Sequence, residues 1–352
     1  MHPRLFEIPF VHLTVWGFGL MMVVGFLSSL WLVRRASRRA GLDPESMSDV
    51  ALYALILGVV GARAFFVLHH LDRFRDDLRG VFAIWHGGLE FLGGVAPAVA
   101  FLLLYLHWRK LPMRRCLDVL AMGLMMGLAF GRLGCFLNGC CFGGPTDVPW
   151  AVRFPYRSYA YVSQINSDPR RDRAEPYLDV PPYEYADFYA EDGRWYPKPL
   201  EELTEPQRHE VTKGKYRCLP VHPTQLYASA YAFVLCGVLY LLWRRSIHGG
   251  RSTGQGGGRL TRPGVATAAM CVLYGPGRFV LEAIRDDNPY EIGTLTISQI
   301  MGIVMFVAGL ALLAVVVRHG PVIAECGASS GAPAASSTEG AAGDGPLEAE
   351  AG

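Results

Sequence analysis

The segment GFGLMMVVGFLSSLWLVRRASRR, residues 17–39, decides the fold. Its apolar part is uncharged up to Val33, and about 20 such residues are what a helix needs to cross a bilayer core. The arginines come after the apolar run: Arg34, Arg35, Arg38 and Arg39. Cleavable signal peptides put positive charge before the apolar stretch. Here Arg4 precedes it, so the segment reads as a retained anchor followed by a cytoplasmic loop.

Six more windows of the same character lie outward of it. The seven expected spans are roughly 13–33, 50–68, 89–107, 117–137, 223–243, 263–282 and 295–317. Basic clusters follow alternate spans: RRASRR, then RKLPMRR, then RRSIHGGRSTGQGGGRLTR, and finally Arg318 with His319. The positive-inside rule places those connections in the cytoplasm, with the N-terminus outside and the C-terminus inside. The expected fold is therefore an all-α integral membrane protein of about seven transmembrane helices. Composition agrees, since 18% of residues are charged against about 25% in soluble domains. A net charge of +2 gives no ground for a nucleic-acid partner.

Four parts follow. Residues 1–138 carry helices one to four, 139–222 an outer turn and arm, 223–319 helices five to seven, and 320–352 a tail. The arm contains PPYEYADFYAEDGRWYPKP (181–199), too aromatic for a solvated coil, and is expected to fold over the bundle. The Ala/Gly/Ser/Glu tail is expected to be disordered in the cytoplasm.

Ionisable groups inside spans are expensive, roughly 2.5–3.5 kcal/mol each, and are functional candidates by default. Arg63, Glu90, Arg132, Arg278 and Glu282 stand out, and His222 opens the fifth span. The deduced topology brings all of them to one depth, near the outer headgroups. Arg278 and Glu282 are four apart and share a helix face. That pair alone is an internal salt bridge; with Arg132 added, cations exceed carboxylates and an anion is called for. A guanidinium matches phosphate with its planar fork, and at headgroup depth the phosphate is that of a phospholipid. Glycines flank these charges in HGGLEFLGG (86–94) and GRLGCFLNGCCFGG (131–144). They serve close helix packing or a broken turn, and the run 139–144 before Pro145 reads as a turn. Cys135, Cys140 and Cys141 lack the paired spacing of zinc sites. No metal is expected there; packing or an optional disulfide is the plainer reading.

GRLGCFLNGCCFGGPTDVPWAVRFP (131–155) resembles the signature of the prolipoprotein diacylglyceryl transferases, bacterial inner-membrane enzymes. FGLMMVVGF (18–26), GARAFFVL (61–68), WHGGLEFLGG (85–94), HPTQLY (222–227) and YGPGRFVLEAIRDD (274–287) resemble further family segments in the same order. The resemblance spans about residues 10–317 and leaves out the arm near 160–215 and the tail. It implies transfer of the diacylglyceryl group of phosphatidylglycerol to the lipobox cysteine thiol of a preprolipoprotein signal peptide. Glycerol 1-phosphate leaves. No cofactor is implied, and the site would face the periplasm from the inner membrane.

By position, the resemblance makes Arg132 a phosphatidylglycerol-binding residue and Arg278 and Glu282 a second essential arginine with its acid. Asn138 and Gly143 match signature positions; His222, Gln225 and Tyr227 match the His-Pro-x-Gln-Leu-Tyr motif. Glu282 or His222 would take the thiol proton. Arg63 is a further substrate-binding candidate, or an anchor for its own helix. The chain departs from common family residues at Phe18, Leu92, Cys135, Cys140 and Ala228. An altered paralogue, or a protein that binds or transports membrane lipids without chemistry, would use the same arginines.

Overall fold

The computed structural model describes residues 4–8, 13–74, 78–82, 88, 90–190, 193–249 and 261–319. The tail 320–352 and the Gly-rich connection 250–260 lie outside the described residues. A hairpin of β1 (Arg4–Ile8) and β2 (Leu13–Trp16) comes first. It is followed by α1 (Gly17–Ala40), α2 (Pro44–His69), the single turn α3 (Leu71–Phe74), α4 (Phe91–Trp108) and α5 (Met113–Asn138). The arm holds α6 (Tyr159–Gln164), a second hairpin of β3 (Ala186–Tyr189) and β4 (Arg194–Pro197), and α7 (Glu205–Thr212). Helices α8 (Thr224–Gly249), α9 (Val265–Ile284) and α10 (Ile297–His319) complete the bundle.

Among the described residues, five helices are long and apolar enough to cross a bilayer: α1, α2, α5, the Thr224–Ile247 part of α8 and the Ile297–Arg318 part of α10. Two of the seven expected spans differ. The apolar part of α4, Gly93–Trp108, is shorter, and α9 carries Arg278, Glu282 and Pro276. The first helix also starts later than expected, at Gly17. Leu13–Trp16, with its Thr14–Val15 pair, is extended and pairs with Arg4–Ile8, as β-branched residues favour.

Outward faces of the long helices are apolar: Val23, Leu27, Val60, Leu104 and Val234 are all more than half exposed. In water that surface would be costly, and against lipid it is matched. Helix α5 packs on α1 and α8, α2 on α4, and α9 on α10. Small residues let backbones meet. A Cβ on Gly94 of α4 would lie 2.6 Å from the Gly58 carbonyl oxygen of α2. The main core, including Met47, Leu106, Met122 and Leu239, knits α2, α4, α5 and α8 together.

Buried Asp118 of α5 ties down the start of α9. It accepts from the Gly264 and Thr267 amides at 2.6 and 2.8 Å and from the Thr267 hydroxyl at 2.8 Å. A carboxylate at that end satisfies orphan amides and opposes the helix dipole. The arm has its own core around Phe142, Phe154, Tyr161, Ile165 and Leu178.

Candidate functional site

Helix α5 ends in a Schellman motif. Gly139 is left-handed at φ 76°, its amide donates to Phe136 O at 3.2 Å, and the Cys140 amide donates to Cys135 O at 3.2 Å. The chain therefore reverses over the last turn that carries Arg132, Cys135 and Asn138. Residues 142–144 then run between the start of α8 and the end of α9. The Gly143 amide donates to His222 O at 3.0 Å, and the Gly144 amide to Ile284 O at 3.1 Å. Gly143 has no room for a side chain: a Cβ would stand 2.7 Å from His222 Cβ and 3.0 Å from Ile284 O. Thr224 Oγ1 and Gln225 Nε2 donate to the carbonyls of Cys141 and Cys140, each at 2.7 Å. Buried Gln225 keeps Oε1 without a hydrogen-bond partner.

The end of α9 carries the charge cluster. Glu282 is 1% exposed. Its Oε2 lies 2.8 Å from Arg278 Nη1 and 3.3 Å from Arg285 Nη1. Its Oε1 accepts from Asn288 Nδ2, and from Thr296 Oγ1 at 3.3 Å. Arg278 also donates to Ser298 Oγ at 2.8 Å. Arg285 grips Asp287 with two bonds of 2.9 Å. Arg132 lies within electrostatic reach of Arg278. Among the described residues, no carboxylate or hydrogen-bond acceptor engages its guanidinium. Three arginines thus face two carboxylates, and the uncompensated cation is Arg132.

The arm closes over this cluster. Arg173 Nη1 reaches Asp286 Oδ2 at 2.8 Å, and Arg171 Nε reaches Oδ1 at 3.5 Å. Arg171 also donates to Arg285 O at 2.6 Å and to Asn288 O.

A family model described as prolipoprotein diacylglyceryl transferase matches residues 3–315. The chain belongs to the prolipoprotein diacylglyceryl transferase family. Its relatives include the phosphatidylglycerol–prolipoprotein diacylglyceryl transferase of Synechococcus elongatus, 27% identical over 311 residues, 88% of this chain and 85% of that protein. The protein of the same name from Rhodopirellula baltica is 29% identical over 358 residues, 86% of this chain and 72% of its own. That from Geobacillus kaustophilus is 26% identical over 306 residues, 86% and 90%.

In this transferase the sequence-derived candidates fall into three groups. Arg132, Arg278 and Glu282 converge at the ends of α5 and α9, together with Asn138 and Gly143 in the turn. His222, Gln225 and Tyr227 form the adjoining start of α8. His222 Nδ1 lies 3.3 Å from the Tyr227 hydroxyl, which also accepts from Trp150 Nε1 at 2.6 Å. No hydrogen bond joins His222 to Arg278 or Glu282 among the described residues. Arg63 stands in a third group. It donates to the carbonyls of Gly80, Val81 and Gly88 at 2.6–2.9 Å, and Phe66 and Phe74 each hold a ring centroid 5.4 Å from it. Among the described residues, no hydrogen bond or ion pair links it to Arg132, Arg278 or Glu282. Glu90 pairs with His69 at 2.9 Å.

Sequence reading had no role for Arg285, Asn288, Thr296 or the arm's Arg171 and Arg173. Arg285 follows Glu282 by three, a helical spacing that offered a signal. Asn288 and Thr296 come from the irregular chain just after α9, and Arg171 and Arg173 from more than a hundred residues away, so no helical spacing marks them.

Proposed function

We propose that this chain transfers the diacylglyceryl group of phosphatidylglycerol to the lipobox cysteine thiol of preprolipoproteins, releasing glycerol 1-phosphate. The observation that carries the reading is Arg132: a guanidinium with no acceptor among the described residues, beside the Arg278–Glu282–Arg285 cluster. Such a surplus cation suits a phosphodiester, which a fork of N–H donors binds bidentately.

The membrane orientation follows the basic connections. The N-terminus is outside, the C-terminus is cytoplasmic, and the site opens toward the periplasm of the inner membrane. The arm lies on that face. Phosphatidylglycerol enters from the surrounding lipid, and the signal peptide presents its cysteine from the same side.

Attack of the thiolate sulfur on the glyceryl carbon breaks the carbon–oxygen bond to phosphate. Charge grows on the departing phosphate monoester, where Arg132 and Arg278 are aimed. Glu282 positions Arg278. Both of its oxygens are occupied, which leaves it poorly placed to take a proton. His222 has Nδ1 at Tyr227, and no hydrogen bond occupies Nε2 among the described residues, so His222 is the better base for the thiol. Asn138, Gly143, Gln225 and Tyr227 build the turn and the helix start beside these arginines. Arg63 acts one step removed, by holding Gly80, Val81 and Gly88 beside α2.

Complementation tests the reading. The chain and its Arg132→Ala variant are expressed in bacteria depleted of their own transferase. Rescue by the wild type alone supports it. A well-expressed wild type that binds phosphatidylglycerol without rescue overturns it in favour of a lipid-binding protein or altered paralogue.

A further inference from the structure

Three thiols meet where α5 ends. The Sγ atoms of Cys135, Cys140 and Cys141 all lie within 4.8 Å of one another. Among the described residues this is the single group of three or more His, Cys, Asp or Glu side chains close enough to share a metal ion. Their spacing in sequence does not announce this. The Schellman turn folds Cys140 back over Cys135, and Cys141 takes a left-handed backbone at φ 61°. A non-glycine residue in that region is held there by its surroundings. The holding bonds are visible: Gln225 and Thr224 clamp the Cys140 and Cys141 carbonyls. Both side chains of the clamp are at most 2% exposed.

We propose that Cys135, Cys140 and Cys141 form a three-thiolate site for one thiophilic d10 cation, zinc(II) or copper(I). Metal–sulfur bonds of about 2.3 Å place ligand sulfurs roughly 3.8–4.0 Å apart, so the triangle needs to tighten by no more than about 1 Å. Binding forms three metal–sulfur bonds and releases the three thiol protons to solvent. Thiolates select these ions over oxygen-preferring cations. Arg285 lies within electrostatic reach of Cys141 and supplies positive charge beside a net-negative three-thiolate complex. All three cysteines are half-buried, which leaves one face open. Zinc there keeps a fourth position for water or an outside thiol. The ion pins the turn that carries Gly143 and Gly144 between α8 and α9.

Full-length protein in detergent, reduced and then stripped with a chelator, is loaded separately with Zn2+, Cu+ and Co2+ and desalted. One zinc or copper per chain by elemental analysis, with thiolate-to-cobalt absorption in the near ultraviolet, is the expected result. Cys140→Ser should weaken zinc at least tenfold in chelator competition. Cys135→Ser/Cys140→Ser/Cys141→Ser should abolish it, and Cys218→Ser should leave it unchanged. Equal metal in wild type and Cys140→Ser overturns the site, as does the absence of cobalt–thiolate absorption. Alkylation mapping that finds two of the three sulfurs joined in a disulfide that reductant does not open also overturns it.

Discussion

Glu282 Oε2 stands 2.8 Å from Arg278 Nη1, and the same oxygen also receives Arg285 at 3.3 Å. One buried carboxylate thus orders two guanidinium groups. Glu282→Gln removes the charge and keeps the shape, leaving both cations with less compensation. Breaking a buried pair from one side typically destabilises by about 3–5 kcal/mol. We expect a lower melting temperature in detergent and loss of transfer activity, by roughly a hundredfold or more because Arg278 loses its orientation. A variant with wild-type melting and activity would contradict this role.

Arg132→Ala has the opposite signature. No carboxylate among the described residues depends on Arg132, so its removal leaves none of their buried charges unpaired. Thermal stability should stay within about 0.5 kcal/mol of wild type, while transfer to a lipobox peptide falls about 10²–10³-fold. Arg132→Lys should recover only part, since an ammonium cannot bind phosphate as a planar fork. Equal losses of stability and rate in Arg132→Ala would refute the assignment.

Gly143→Ala places a methyl group against His222 Cβ and the Ile284 carbonyl. Overpacking of this kind costs about 1–3 kcal/mol. The displaced backbone carries the amide that donates to His222 O. Reduced melting temperature and reduced turnover together are expected, read by thermal shift and a lipid-transfer assay.

Asp118→Asn probes the bundle away from the charge cluster. The carboxylate caps α9 through three hydrogen bonds, and loss of a buried charged acceptor costs about 1–3 kcal/mol. The KM for phosphatidylglycerol should be unchanged in the fraction that stays folded. A selective rise in KM would show that Asp118 acts on the site itself.

Asp286 carries the pH dependence of arm docking. Burial pushes its carboxyl above the usual 3.8, against the lowering pull of Arg173 and Arg171. The folded chain therefore binds this proton more tightly than the unfolded chain. Its contribution to stability is full below about pH 3.8 and is lost as pH rises through the folded value. Asp286→Asn fixes the neutral form. The stability of wild type relative to the variant should fall as pH rises above about 4, by at most about 1.4 kcal/mol per pH unit. Parallel profiles for the two proteins would exclude it.

Much of this was legible in the chain itself. Long uncharged runs such as 18–33 point to a bilayer, because a helix apolar on every side over that length needs lipid or a large protein interior around it. The i, i+4 spacing of Arg278 and Glu282 specifies their contact, because helix geometry is local. The phrase GRLGCFLNGCCFGGPT carries the family. Tertiary structure decided what depends on distant segments. Arg171 and Arg173 reach Asp286 from more than a hundred residues away, and Thr224 and Gln225 fasten a turn that belongs to α5. It also gave the Arg63 donors to the carbonyls of Gly80, Val81 and Gly88. The three thiols gather for the same reason. A left-handed glycine reverses the chain, and bonds from another helix hold the reversal in place, so no spacing read along the sequence reveals that they touch.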